Sequence, residues 1–79
     1  MIPKITKVKI LPKYHLYLEY GEEKKIFNVF PYINGDWFGK LKDERYFNTV
    51  RISGNTVEWQ GGQDIAPHEL YELSIPANN

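Results

Sequence analysis

Four large side chains at strict period two, Tyr14, Leu16, Leu18 and Tyr20, constrain this chain more than any other feature; His15, Tyr17 and Glu19 lie between them. Only an extended strand puts all four on one side, because successive side chains of a strand point to opposite faces. Such a strand buries one face and leaves the other to polar groups. It also needs pairing partners and a cover, since fewer than three strands are barely stable in water. In a chain of 79 residues both must come from nearby sequence, as a domain this small hides little more than half of its unfolded surface.

The flanking sequence supplies those partners. Residues 5–11 read as a first strand, with Val8 and Ile10 on one face, Lys7 and Lys9 on the other, and Pro12-Lys13 as its break. After the turn Gly21-Glu22-Glu23, residues 24–30 return as a third strand. Its two faces are Ile26/Asn28/Phe30 and Phe27/Val29, and Pro31 ends its ladder. Ile33, Trp37 and Leu41 then follow helical spacing, weakened by Gly35 and Gly39, which predicts two short helical pieces over 31–34 and 36–46. Val50 and Ile52 mark a fourth strand, Gly54-Asn55 a tight turn, and residues 56–59 a fifth strand with Val57 and Trp59 on one face. Pro67 opens a last short helix holding Glu69, Leu70 and Leu73. Residues 75–79 are expected to fray. The predicted architecture is one α+β domain over residues 1–79, in the order β-β-β-α-β-β-α: a mainly antiparallel five-stranded sheet packed against short helices.

Several chemistries are excluded by what is missing. With no cysteine there is no disulfide, thiol nucleophile or Cys-ligated metal. No apolar run approaches membrane-spanning length and the first residues lack a signal-peptide core, so a cytoplasmic protein without a membrane role is expected. The 10 basic and 10 acidic residues cancel but are divided along the chain. Lys4, Lys7, Lys9, Lys13, Lys24 and Lys25 outweigh Glu19, Glu22 and Glu23 in the first third, whereas Glu58, Asp64, Glu69 and Glu72 follow Ser53 with no basic residue among them. Opposite ends of this kind can draw two copies together, and a weak homodimer is expected on that ground.

The reactive residue types form no catalytic pattern. His68 and Glu72 share a helix face, but the zinc-protease pattern would need a second histidine where Glu72 stands, and no third ligand is identifiable. Gly61-Gly62 lacks the lysine and hydroxyl of a phosphate loop, and Asp64 beside it would repel an anion. None of the serines and threonines sits in a nucleophile elbow. No enzyme, cofactor or metal is therefore expected. Asp64 reads as a loop organiser accepting backbone N–H bonds ahead of the helix that Pro67 starts. Trp59, Gly61, Gly62, Asp64 and Pro67 together read as a structural loop: a buried indole, a sharp change of direction and a tied helix entry.

Among the aromatics, Tyr14, Tyr20, Phe27, Phe38, Phe47 and Trp59 fall on faces assigned to the core. Tyr17 falls on the opposite one, with His15 beside it and Lys7, Lys9 and Arg51 within reach if the strands pair in sequence order. An aromatic among basic groups on a sheet can stack bases, so these five residues form a candidate binding face. The neutral total charge disfavours nucleic acid as the ligand.

Across residues 3–71 the chain resembles the small bacterial proteins grouped as domain of unknown function 2442. The resemblance rests on Pro3-x-Ile5-x-x-Val8, Tyr14-x-Leu16-x-Leu18, Phe27, Leu41-Lys42-Asp43 with Phe47, and Val50-x-Ile52. Its most specific part is the run from Val57-Glu58-Trp59 through Gly61-Gly62-Gln63-Asp64-Ile65-Ala66-Pro67 to Leu70-Tyr71. Relatives often have Pro and Asn or Asp where this chain has Gln60 and Gly61, and Asp where it has Asn28. The resemblance implies three strands, a helical segment, two strands and a last helix. Some relatives carry the domain ahead of a helix-turn-helix, for which this chain has no room, and others look like partners in gene pairs of toxin–antitoxin type. The functional expectation is a non-enzymatic protein-binding module, the antitoxin-like or regulatory member of a two-protein bacterial system. The alternative is a nucleic-acid-binding domain using the basic and aromatic sheet face.

Overall fold

The computed structural model describes residues 2–77. Its framework is an antiparallel meander, β1 (Lys7–Leu11), β2 (His15–Tyr20) and β3 (Glu23–Asn28), joined by short turns. The alternation in β2 has the predicted consequence: Leu16, Leu18 and Tyr20 are buried, while His15, Tyr17 and Glu19 stay half-exposed. Phe27 on β3 joins the buried set.

Beyond β3 the chain crosses under the sheet in four short turns of helix. These are a 3₁₀ turn at Phe30–Tyr32, α1 (Gly35–Phe38), a second 3₁₀ turn at Gly39–Lys42, and α2 (Glu44–Phe47). The predicted piece over 36–46 is thus three pieces, because the backbone becomes extended at Asp43. The Asp43 carboxylate accepts a 3.0 Å bond from the Arg45 amide and starts α2. The hairpin of β4 (Arg51–Ser53) and β5 (Thr56–Glu58) follows, with Gly54 at φ +60 in its turn. Last come α3 (Pro67–Leu73) and β6 (Ile75–Pro76).

Two expectations are corrected. The sheet is not five-stranded: β4 and β5 form a separate two-stranded sheet, and the main sheet runs β1-β2-β3-β6. The hairpin lies against β1 without joining its ladder, and the open edge of β3 is taken by the chain end instead. Residues 75–76, expected to fray, pair with β3, Ile75 opposite Ile26 and Pro76 opposite Lys25. The Ala77 amide adds a 2.8 Å bond to the Lys24 carbonyl. Proline is tolerated there because β6 is an edge strand. Residues 78–79 of the expected tail lie outside the described residues.

All helices pack on one side of the main sheet. Trp59 is fully buried at the centre with Leu16, Leu18, Leu41, Val57 and Leu70. Its indole N–H donates to the Phe47 carbonyl at 3.0 Å and its ring lies 5.7 Å from the Phe47 ring. Tyr20, Phe27, Phe47 and Trp59 are buried as predicted, whereas Tyr14 and Phe38 pack only partly against the core. Ile10 shares the inner face with Val8 but is 42% exposed, at the edge strand β1.

Candidate functional site

Strand register decides what the sheet presents on its other side. Lys9 is opposite Tyr17, Tyr17 opposite Ile26, and Ile26 opposite Ile75, so one transverse row crosses all four strands. Lys7, Glu19 and Lys24 form the row beside it, and Leu11, His15 and Asn28 the row on the far side. None of these residues is buried, and Ile75 is 62% exposed. Among the described residues no helix or hairpin covers this face. It is an apolar stripe, Tyr17 to Ile75, bordered by lysines.

Hydrogen bonding fixes the middle of the stripe. The Tyr17 hydroxyl donates to a Glu19 carboxylate oxygen at 2.6 Å, and the Lys9 ammonium lies 5.9 Å from the Tyr17 ring centre. Donation to Glu19 holds the Tyr17 hydroxyl above its usual pKa, with burial and the Glu19 charge adding to it. The same bond lowers Glu19, against some desolvation, with Lys7, Lys24 and Lys9 lowering it further. Glu19 is therefore a fixed carboxylate at neutral pH, holding a tyrosine ring in one orientation. His15 contacts the Lys13 carbonyl at 3.0 Å through Nδ1.

Four of the five residues predicted for a binding face, Lys7, Lys9, His15 and Tyr17, thus share one surface. Arg51 does not: it sits on β4, outside this sheet, and pairs with Glu58 at 3.4 Å. The prediction had assumed that the fourth strand joins the ladder. Lys24, Ile26 and Ile75 belong to the face and were missed. The first two were legible from the alternation of β3; Ile75 was hidden by the expectation of a frayed tail.

Lys25, the other lysine of β3, points inward and is only 8% exposed. Its ammonium donates to the Tyr71 carbonyl at 2.7 Å and lies 3.8 Å from the centre of the Tyr71 ring. That ring meets Tyr20 edge-on, and its hydroxyl donates to Glu23 at 2.7 Å. The Tyr20 hydroxyl is buried without a hydrogen-bond partner among the described residues, and burial pushes its pKa up to about 12. This cluster fastens α3 to the sheet.

In the structural loop, Trp59 and Pro67 take their expected places, with Pro67 in the first turn of α3. Asp64 does not tie the loop as predicted. It is exposed, its carboxylate makes no hydrogen bond among the described residues, and its backbone bridges to Glu58. The tie is Gln63, which is fully buried. Its amide donates to the Trp37 carbonyl at 2.8 Å and accepts from the Tyr46 hydroxyl at 2.9 Å. A Cβ on Gly61 would collide with that hydroxyl, and Gly62 sits at φ +96, so both glycines are required for the loop to pass under Tyr46 and Trp37.

Elsewhere the hydroxyls serve the backbone: Thr6 donates to Glu19, Thr49 to Tyr46, Thr56 to Ile65 and Ser74 to Tyr71. His68 and Glu72 are exposed on α3. Among the described residues no group of three or more His, Asp or Glu side chains is placed to hold a metal. Nor is any helix long and apolar enough to cross a membrane. Three shallow clefts of ≈ 360, ≈ 370 and ≈ 430 Å³ run around the Pro12–Tyr14 and Phe30–Tyr32 end of the molecule. Lys13 and Tyr14 there both have positive φ, at 62° and 64°. The Tyr14 hydroxyl bond to the Lys42 carbonyl, and its ring edge-on to Phe47, account for that strained turn as an anchor.

No curated protein and no solved structure matches the chain. A family model does match, over residues 5–76, and its span takes in the whole meander, the Trp59 loop, α3 and β6. With nearly every described residue inside that match, the chain belongs to the family described as Protein of unknown function (DUF2442).

Proposed function

We propose that the chain is a non-enzymatic protein-binding module that takes its partner on the open face of the main sheet. In the setting suggested by its family resemblance, it acts in the cytoplasm as the antitoxin-like or regulatory member of a two-protein bacterial system. The observation behind this reading is the row Lys9–Tyr17–Ile26–Ile75, which crosses four strands on a face that no other element of the described residues covers. An oriented tyrosine with adjoining aliphatic groups and a charged rim has the composition of a protein contact surface.

Single-stranded nucleic acid is the second reading, supported by Lys7, Lys9 and Lys24 around the same ring. It is the weaker one, because a stacking surface uses several aromatics and Tyr17 is the one aromatic within the strand rows of this face among the described residues. The test compares the wild type with a Lys9→Glu/Tyr17→Ala variant of equal denaturation midpoint. A protein captured by the wild type from a bacterial extract is purified and rebound, and the variant is expected to bind it at least tenfold more weakly. Equal binding by the variant would overturn the face assignment. If no specific protein is captured, and short oligonucleotides bind with steep salt dependence, the second reading replaces the first.

A further inference from the structure

The charges that divide along the sequence also divide in space, and they do not neutralise each other within one molecule. Lys7, Lys9 and Lys24 rim the open face, and all three are exposed. Two of the four acidic residues after Ser53 sit on α3, where Glu69, which accepts from the Tyr32 hydroxyl, and Glu72 lie near the 61% exposed Leu73. Leu70 and Tyr71 pack this helix on the inner side of the sheet, against the core and Tyr20, while Glu69, Glu72 and Leu73 stay exposed. Arg51–Glu58 is the one ion pair among the described residues, and it joins neither patch.

Resting on the reading of the open face as a protein-binding surface, we infer that one occupant is a second copy of this chain, docking the exposed side of α3 head to tail. An acidic helix presenting one leucine complements a tyrosine–isoleucine stripe rimmed by lysines in both charge and apolar content. Face-to-face pairing of two open sheets is disfavoured, since it opposes lysines to lysines. The contact is heterologous, so it adds copies one after another rather than closing at a dimer. It is also weak. Four strands at about 4.8 Å spacing and about five residues at 3.3 Å each give a footprint on the order of 300 Å², below the area of a stable interface.

Light scattering on the full chain at low ionic strength tests this. The wild-type average mass should climb steadily above 9.3 kDa with concentration and return to it at about 0.5 M salt, where screening is nearly complete. Two variants then separate the halves: Lys7→Gln/Lys9→Gln on the face and Glu69→Gln/Glu72→Gln on the helix, neutral on both sides so that no swapped charge pair can form. Each alone should stay monomeric, and an equimolar mixture of the two should form a species of twice the monomer mass and nothing larger. A wild type monomeric up to millimolar concentration overturns the inference. So does a mixture that stays monomeric while both variants keep the wild-type denaturation midpoint. Either failure leaves the open face standing if the partner captured from the extract is still lost with Lys9→Glu/Tyr17→Ala.

Discussion

The two faces of β2 are one residue apart in sequence and have opposite fates. Leu16 and Leu18 are fully buried and Tyr20 nearly so, beneath every helix of the molecule. His15, Tyr17 and Glu19 stay half-exposed with nothing over them. The inner face is nearly finished: apart from Ile10 on the edge strand its apolar groups are largely covered, and its one lysine is held by the Tyr71 carbonyl and ring. The outer face has an ordered centre and an exposed aliphatic end but no cover. None of the described elements forms a second layer over it. What the chain cannot cover itself is where something else can bind.

That comparison predicts that perturbations inside cost stability and perturbations outside cost binding. The largest loss should come from Trp59→Ala. It removes the central indole and its bond to the Phe47 carbonyl, and should destabilise by ~3–5 kcal/mol in chemical denaturation. A loss under ~1 kcal/mol would mean that the inner side is not the core described.

A smaller effect is expected from Tyr20→Phe. The Tyr20 hydroxyl has no partner to lose, so at neutral pH the variant should be as stable as the wild type or slightly more so. At alkaline pH the two should separate. The folded state holds the phenol proton up to a pKa of about 12, while the unfolded chain releases it near 10. Between those values the unfolded state binds fewer protons, so the wild type loses stability as pH rises from about 10 to 12. Tyr20→Phe should lack that part of the loss, as pH-dependent denaturation curves of the two proteins would reveal. Smallest of all should be Tyr17→Ala, which is expected to leave the denaturation midpoint in place while weakening partner binding.

Much of this layout was readable before any coordinates. Period-two spacing in β2 requires two unlike faces, and the same logic gave the β1–β3 meander, the β4–β5 turn and the start of α3 at Pro67. Less was readable where tertiary contacts override local signals. Nothing local marks Ile75–Pro76 as a strand; the pairing exists because the β4–β5 hairpin leaves the edge of β3 open. Lys25 looks like a surface lysine until the carbonyl and ring of Tyr71, 46 residues away, are brought to it. Asp64 has the residue type that ordinarily organises loops, but the position that turns inward is Gln63, between a carbonyl and a hydroxyl, and there the loop needs a side chain that both donates and accepts. Arg51 was misassigned for the same reason that the sheet was counted as five strands.

The claim that the uncovered face is the contact surface is tested most directly by lysine acetylation footprinting. The protein is labelled free and in complex with the partner captured by the wild type, and each lysine is read by mass spectrometry. The account predicts that Lys7, Lys9 and Lys24 lose reactivity in the complex while Lys40 and Lys42, on the segment beneath the sheet, keep theirs. Protection of Lys40 and Lys42 with the three sheet lysines still fully reactive would contradict it.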